Sequence, residues 1–332
     1  MSSASPIFSH LSQTAHIVPP ERLPRRAVRG LGAHSPHQTG SFHPQIFWKS
    51  RFLGRIVSTV DRSRPVDASA MELIRNAIVN DALWGGLQTS DTVDRILRSV
   101  MDQTLDCVID AIFRGCGKGI PEGVRWGEKS PRHSHIVSKL QKIFPGAIFV
   151  HMLRDGRDAC ASMAARGWYE GSFRRICEHW TTCVLSAQSA AQAGHDQYIE
   201  VRFEDLVTDP DRELKRVSKF FRLEVDARML DHSRLATEEI PNAGGGIHKK
   251  LLRPLDAGEI GKWKSALTYW QEAIFLAVAG KVARDVGYGC GHRLGAWALL
   301  PLARINVMIE KALCELKARL LASRIFRGRS IS

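Results

Sequence analysis

Residues 147–162 read AIFVHMLRDGRDACAS. Ala147 to Leu153 is a mostly apolar run of strand length, and the small residues after Asp158 suit a helix. Between them stands a charged turn with one glycine, Arg154-Asp155-Gly156-Arg157-Asp158. Strand, basic turn and helix start, in that order, present backbone amides and guanidinium groups to an anion of the phosphate type. The competing reading pairs Arg154 with a carboxylate such as Glu204. The anion reading is preferred, because Arg-Asp-Gly-Arg-Asp at a strand end has little obvious packing purpose.

The flanks of this stretch are those of an α/β sheet. Gly127 to Ser130 ends a short strand, and Pro131 opens a helix with Ile136, Val137, Leu140 and Phe144 on one face. Pro145-Gly146 then turn the chain into the opening strand. Residues 173–193 read as a helix and Tyr198 to Phe203 as a strand ending in Glu204-Asp205, while Asp209-Pro210 start a helix burying Leu214, Val217, Phe220 and Phe221. Repeated β-loop-α-β units imply a three-layer α/β/α fold with a central parallel sheet. In such sheets ligands collect at the carboxyl ends of the strands, where Glu128-Lys129 and Arg154-Asp155 both fall. Upstream, Asp67 to Trp84 and Thr92 to Phe113 carry helical apolar spacing and no visible chemistry. Downstream, GKWKSAL at 261–267 leads to a helix from Trp270 to Val286 that Gly287 ends.

Charge narrows the function classes. The chain of 332 residues carries a net charge of +13, but residues 1–66 hold nine Lys/Arg against two Asp/Glu, and residues 291–332 hold eight against two. Residues 67–290 have 30 of each sign, so the central part has no general polyanion field and nucleic acid is not expected as a partner. The seven cysteines form no CxxC pair, which argues against a zinc site or a disulfide scaffold and suits a reducing, cytoplasmic compartment. Residues 1–41 have one acid and no hydrophobic period and read as a disordered or misassigned extension. Pro301 to Arg327 reads as a basic amphipathic helix with the stripe Ile305, Met308, Ile309, Ala312, Leu316 and Leu320. Such a helix can lie on a membrane surface; packing on its own domain or on a partner is the preferred expectation. The domain expectation is thus an extension over 1–41, one domain over 42–290 and a helical extension over 291–332, with the oligomeric state left open.

The order strand, RDGRDxxxS, helix, strand, VRFEDLVxDP, helix, GxxGKWK resembles the sulfotransferases that use 3′-phosphoadenosine 5′-phosphosulfate (PAPS). It is most similar to their tyrosylprotein-type branch and its bacterial relatives. The resemblance runs from about His43 to Tyr288 and implies the P-loop nucleoside-kinase architecture. It also implies sulfuryl transfer from PAPS to a hydroxyl acceptor, without a metal. The acceptor can be a protein tyrosine, a glycan, or a small alcohol or phenol. It implies that Arg154 and Ser162 bind the cofactor's 3′-phosphate, with Arg166 and Arg253 as further phosphate contacts and Trp263 as a contact or a core residue. Lys129 of GEKSP would neutralise the transferring sulfuryl group, its alternative being a solvated surface lysine.

The sequence departs from the resemblance in one region. The relatives' turn P-[KR]-S-G-[ST]-[ST], which grips the 5′-phosphosulfate, has no counterpart ahead of His43-Pro44, where RRAVRGLGAHSPHQTG stands. Lys49-Ser50-Arg51 stand where relatives carry a glutamate proposed as general base. Glu128 and His133 are then the candidates for the base. Two explanations stay open: a sequence start that lacks the true first strand, or a catalytically impaired, nucleotide-binding protein that lacks the 5′-phosphosulfate turn. Phe203 replaces a tyrosine common in the relatives and keeps its shape without the hydroxyl.

Overall fold

A computed structural model of the protein describes residues 15–18, 46–48, 52–81, 90–100, 103–115, 126–193, 195–222, 225 and 255–328. In chain order the strands are β1 (Ala15–Val18), β2 (Ile46–Trp48), β3 (Gly127–Ser130), β4 (Ile148–Leu153) and β5 (Tyr198–Arg202). The helices up to β4 are α1 (Phe52–Thr59), α2 (Ala68–Val79), α3 (Ser90–Ser99), α4 (Leu105–Gly115) and α5 (Val137–Ile143). After β4 come α6 (Gly156–Ala164), α7 (Phe173–Ala193), α8 (Phe203–Thr208), α9 (Pro210–Phe221), α10 (Trp263–Ala266), α11 (Tyr269–Asp285) and α12 (Leu294–Gly328). The chain divides into two compact units, Met1–Arg154 with Ser186–Ala257, and Asp155–Leu185 with Gly258–Ser332.

The first unit holds the sheet, in the order β2-β3-β1-β4-β5. β2 and β3 pair in parallel, as do β4 and β5. The α/β architecture expected from the sequence is present, with one addition. β1 sits between β3 and β4 and runs antiparallel to both, so the sheet is mixed. Its four residues, AHIV, lie inside the segment read as a disordered or misassigned extension. They are followed by Pro19-Pro20, and a run that short gives no periodic signal.

Alternation along β4 places apolar side chains on both faces of the sheet. Phe149 joins a core with Phe52, Ile74, Ile109, Phe113 and Leu140. Val150 and Met152 join a second core with Val201, Phe203, Leu214 and Phe221. Helices α1–α5 thus cover one face and α8 and α9 the other. As expected, Pro210 opens α9, and the Asp209 side chain caps it by accepting from the Arg212 N–H. The segment Thr92 to Phe113, expected as one helix, is two. The Gln103 carbonyl accepts from the Val66 N–H at 2.9 Å, so it is spent outside any helical ladder and α3 and α4 separate there.

The second unit packs helices around Trp180 and Phe275, both fully buried with ring centroids 5.8 Å apart. α11 begins at a capping box between Thr268 and Gln271, and Gly287 (φ 87°) stops the chain just beyond it. Two findings differ from the sequence reading. α12 starts at Leu294, so Pro301 lies within the helix. The carbonyl that Pro301 leaves without a helical donor belongs to Trp297, a half-exposed residue. The helix belongs to the same unit as α11, and it buries Ala296, Leu300, Ala303 and Val307. The stripe, expected to pack on its own domain or on a partner, is not covered by its own domain: Met308 is 70% exposed and Ile305, Ile309, Leu316 and Leu320 are 53–55% exposed.

Candidate functional site

In the first unit, the last rung of the β4–β5 ladder sets Leu153 opposite Arg202. The next residue on each strand is the one of interest. Arg154 is buried, and its guanidinium lies over the Phe203 ring at 4.3 Å from the centroid. Phe203 is itself 2% exposed, held by the core beneath β4 and β5. A flat cation on a fixed aromatic face is held in one orientation, which fixes the plane of its N–H fork. Phe203, which the sequence reading treated as the loss of a hydroxyl, is thus the platform under Arg154. One turn of the ladder below, His151 Nδ1 lies 3.4 Å from Glu200 Oε2. Burial pushes the Glu200 carboxyl up, but His151, with Arg202 and Arg216, outweighs it and leaves the group below the usual carboxylate value.

Glu128 and Lys129 sit on β3. Lys129 shares a row with His16 and, across β1, with Val150. It therefore lies four residues short of Arg154, roughly 13 Å along the sheet. The Glu128 carboxylate and His133 Nδ1 are 2.5 Å apart, and both side chains are essentially fully buried. His133 lies in a 3₁₀ turn over Pro131–Ile136 and is buried. The role of acceptor base assigned to these two does not suit their burial, since neither presents surface to an incoming hydroxyl. They brace the end of β3 behind Lys129.

The second unit begins inside the motif, at Asp155. The Asp155 carboxylate caps α6, accepting from the Arg157 N–H at 2.9 Å and from the Arg157 guanidinium at 2.7–3.2 Å. Gly156 has no room for a side chain, because a Cβ there would come within 2.7 Å of Trp180 and 2.8 Å of Phe275. Arg157 also donates to the Cys290 carbonyl at 2.8 Å and lies over the Trp263 ring at 4.1 Å. Asp158 accepts from the backbone N–H groups of Gly261 and Trp263, each at 2.7 Å. The expectation that the turn has little packing purpose is therefore wrong for Asp155 to Asp158: cap, close approach, stack and loop anchor are all structural. The Arg157 amide goes to Asp155, so a phosphate here would rely on side chains more than on the helix start.

Beside this cluster, buried Glu272 accepts from the Arg293 N–H at 2.9 Å and its Nε at 2.5 Å, with His292 Nδ1 at 3.2 Å. Burial, and then the Arg157 guanidinium, hold the His292 imidazole below its usual value near 6.5, against the pull of Glu272. The folded state therefore binds fewer protons than the unfolded chain. This contribution to stability is complete above about pH 6.5 and is lost as pH falls through the lower folded value. His292→Gln should flatten the decline in the denaturation midpoint between about pH 7 and 5; an unchanged slope would refute the assignment.

A family model described as "Sulfotransferase family" matches residues 35–227, more than half of the chain. The chain belongs to the sulfotransferase family. It is 23% identical over 212 residues to protein-tyrosine sulfotransferase A of Caenorhabditis elegans, covering 62% of this chain and 54% of that protein. To protein-tyrosine sulfotransferase 1 of Danio rerio it is 24% identical over 173 residues, 48% of this chain and 47% of that one. The chain thus spans about half the length of these curated relatives. Among solved structures it is similar to the sulfotransferase domain from the curacin biosynthetic pathway, at 15% identity and a TM-score of 0.47 over 75% of this chain and 99% of that one. The sulfotransferase domain from the Synechococcus PCC 7002 olefin synthase gives 14% identity and a TM-score of 0.46 over 74% of this chain and 82% of that one.

The residues expected to bind a donor divide between the units. Arg154 and Lys129 are in the first, Lys129 placed by its backbone register. Ser162, half-buried on α6, and Arg166, exposed just past its end, are in the second. Trp263 is 2% exposed with Arg157 stacked on it, so it is the core tryptophan of the two readings and offers almost no surface to a ligand. Arg253 lies outside the described residues, as do His43-Pro44 and the stretch RRAVRGLGAHSPHQTG.

Proposed function

We propose that the protein transfers a sulfuryl group from PAPS to a hydroxyl acceptor, with a tyrosyl peptide as the first acceptor to test. The observation that carries this reading is the buried Arg154 guanidinium held over Phe203 at the carboxyl ends of β4 and β5. A preformed fork of this kind fits a terminal phosphate, here the 3′-phosphate, with Ser162 and Arg166 following in the same motif. Lys129 lies well away along the sheet, which suits a ligand with anionic groups at two ends. There it would neutralise charge on the sulfuryl group as the acceptor oxygen attacks sulfur and the bond to the 5′-phosphate breaks. The bisphosphate then leaves, and the hydroxyl proton passes to a base. The tyrosyl acceptor follows from the names of the relatives.

The test is transfer of labelled sulfate from PAPS to a tyrosyl peptide, a glycan and a simple phenol, with calorimetry of the product 3′,5′-bisphosphoadenosine (PAP) on the same protein. Transfer to any acceptor, with PAP bound, is the expected result. The second reading, a donor-binding protein without transfer, is favoured by RRAVRGLGAHSPHQTG standing where relatives carry the 5′-phosphosulfate turn. It predicts PAP binding and no transfer. Absence of both would overturn the donor assignment.

A further inference from the structure

The second half of α12 is apolar on the side that the fold does not use. Its inward face, Ala296, Leu300, Ala303 and Val307, already packs in the second unit. On the other side Leu302, Ile305, Ile309, Leu313, Leu316 and Leu320 are each 51–58% exposed. At 100° per residue these six fall within an arc of about 80° and run roughly 27 Å along the helix. Folding of the unit accounts for none of them.

The charge around this stripe selects its occupant. Residues 291–332 carry eight Lys/Arg against two Asp/Glu. One of the two acids, Glu310, turns inward, where its carboxylate takes the Arg174 Nε at 2.8 Å. Arg293 pairs with Glu272 and Lys311 with Glu178, while exposed Lys317 and Arg319 flank the stripe on its two sides. A second copy of the chain would set this positive strip against itself. A sheet of lipid phosphates complements it. No described helix is long and apolar enough to cross a membrane, so the contact is one in which the helix lies flat.

We propose that α12 binds along an anionic membrane surface. Its Leu302–Leu320 stripe sits at the headgroup–acyl boundary, with Lys317 and Arg319 at the level of the phosphates. The full chain should float with vesicles of phosphatidylcholine containing about one quarter phosphatidylglycerol in about 0.1 M salt, and about tenfold less on phosphatidylcholine alone or in about 0.5 M salt. Ile305→Asp with Leu316→Asp, both at exposed positions, should reduce binding by about 100-fold. Lys317→Ser with Arg319→Ser should weaken it on the anionic vesicles only. Failure of the folded wild type to float overturns the proposal, and so does binding that the two aspartates leave unchanged. A dimer seen by light scattering and abolished by the same aspartates, without vesicle binding, would assign the stripe to self-association instead.

Discussion

Arg154→Ala should lower the affinity for PAP by about 30- to 100-fold while leaving adenosine 5′-monophosphate, which lacks the 3′-phosphate, nearly unaffected. Hydrogen bonds between a guanidinium fork and a phosphate contribute about 2–3 kcal/mol, which is that range of affinity. The expectation rests on preorganisation. Arg154 is buried and lies 4.3 Å from the Phe203 centroid, so little side-chain freedom remains to be lost when a phosphate binds. Arg154→Lys keeps the charge and loses the fork, and should recover only part of the binding. Phe203→Ala removes the platform and should cost about 1–2 kcal/mol of PAP binding through Arg154 alone, so the Arg154→Ala, Phe203→Ala double variant should be no worse than Arg154→Ala. Calorimetry on the four proteins with both nucleotides decides it. Equal losses for the two nucleotides would mean that Arg154 supports the pocket generally, and an unchanged PAP affinity would remove it from the site.

Much of this site was legible before the structure, for physical reasons that can be named. The apolar run Ala147–Leu153 and the strand before Glu204 are flanked by charged turns, and the pairing of β4 with β5 brings their ends level. The platform was not legible, because Arg154 and Phe203 are far apart in sequence and no local pattern joins them. The structural work of Asp155, Gly156, Arg157 and Asp158 was hidden for the same reason. Their partners, at Trp180, Gly261, Trp263, Phe275 and Cys290, are set by tertiary contact. The strand Ala15–Val18 escaped notice because four residues carry no period, and the break at Gln103 because its cause is an acceptor taken by Val66. Helix α12 misled in another way. Its stripe has the spacing of a buried face, and spacing alone cannot say whether protein or lipid covers it.

The largest stability effect is expected at Asp158, the last residue of the charged turn. Its two carboxylate oxygens each accept one backbone N–H, from Gly261 and from Trp263, in a site where Asp158 is 3% exposed. Gly261 has a φ of 74°, a conformation open to glycine at little cost, so the turn depends on both the glycine and its acceptor. Asp158→Ala removes both acceptors from two poorly solvated donors. Hydrogen bonds to a charged acceptor contribute about 1.5–3 kcal/mol each, which makes the expected loss about 3–5 kcal/mol for this unit. Asp158→Asn retains one acceptor oxygen and should lose about half as much. Trp263 should feel the change directly, since its ring is held between Arg157 at 4.1 Å and Arg293 at 5.8 Å. Amide exchange at Gly261 and Trp263 should accelerate before global unfolding is reached, and urea denaturation should show the lowered midpoint. Unchanged protection at those two amides in Asp158→Ala would mean that the GKWK turn stands without its anchor, and that the second aspartate of RDGRD is available for another role.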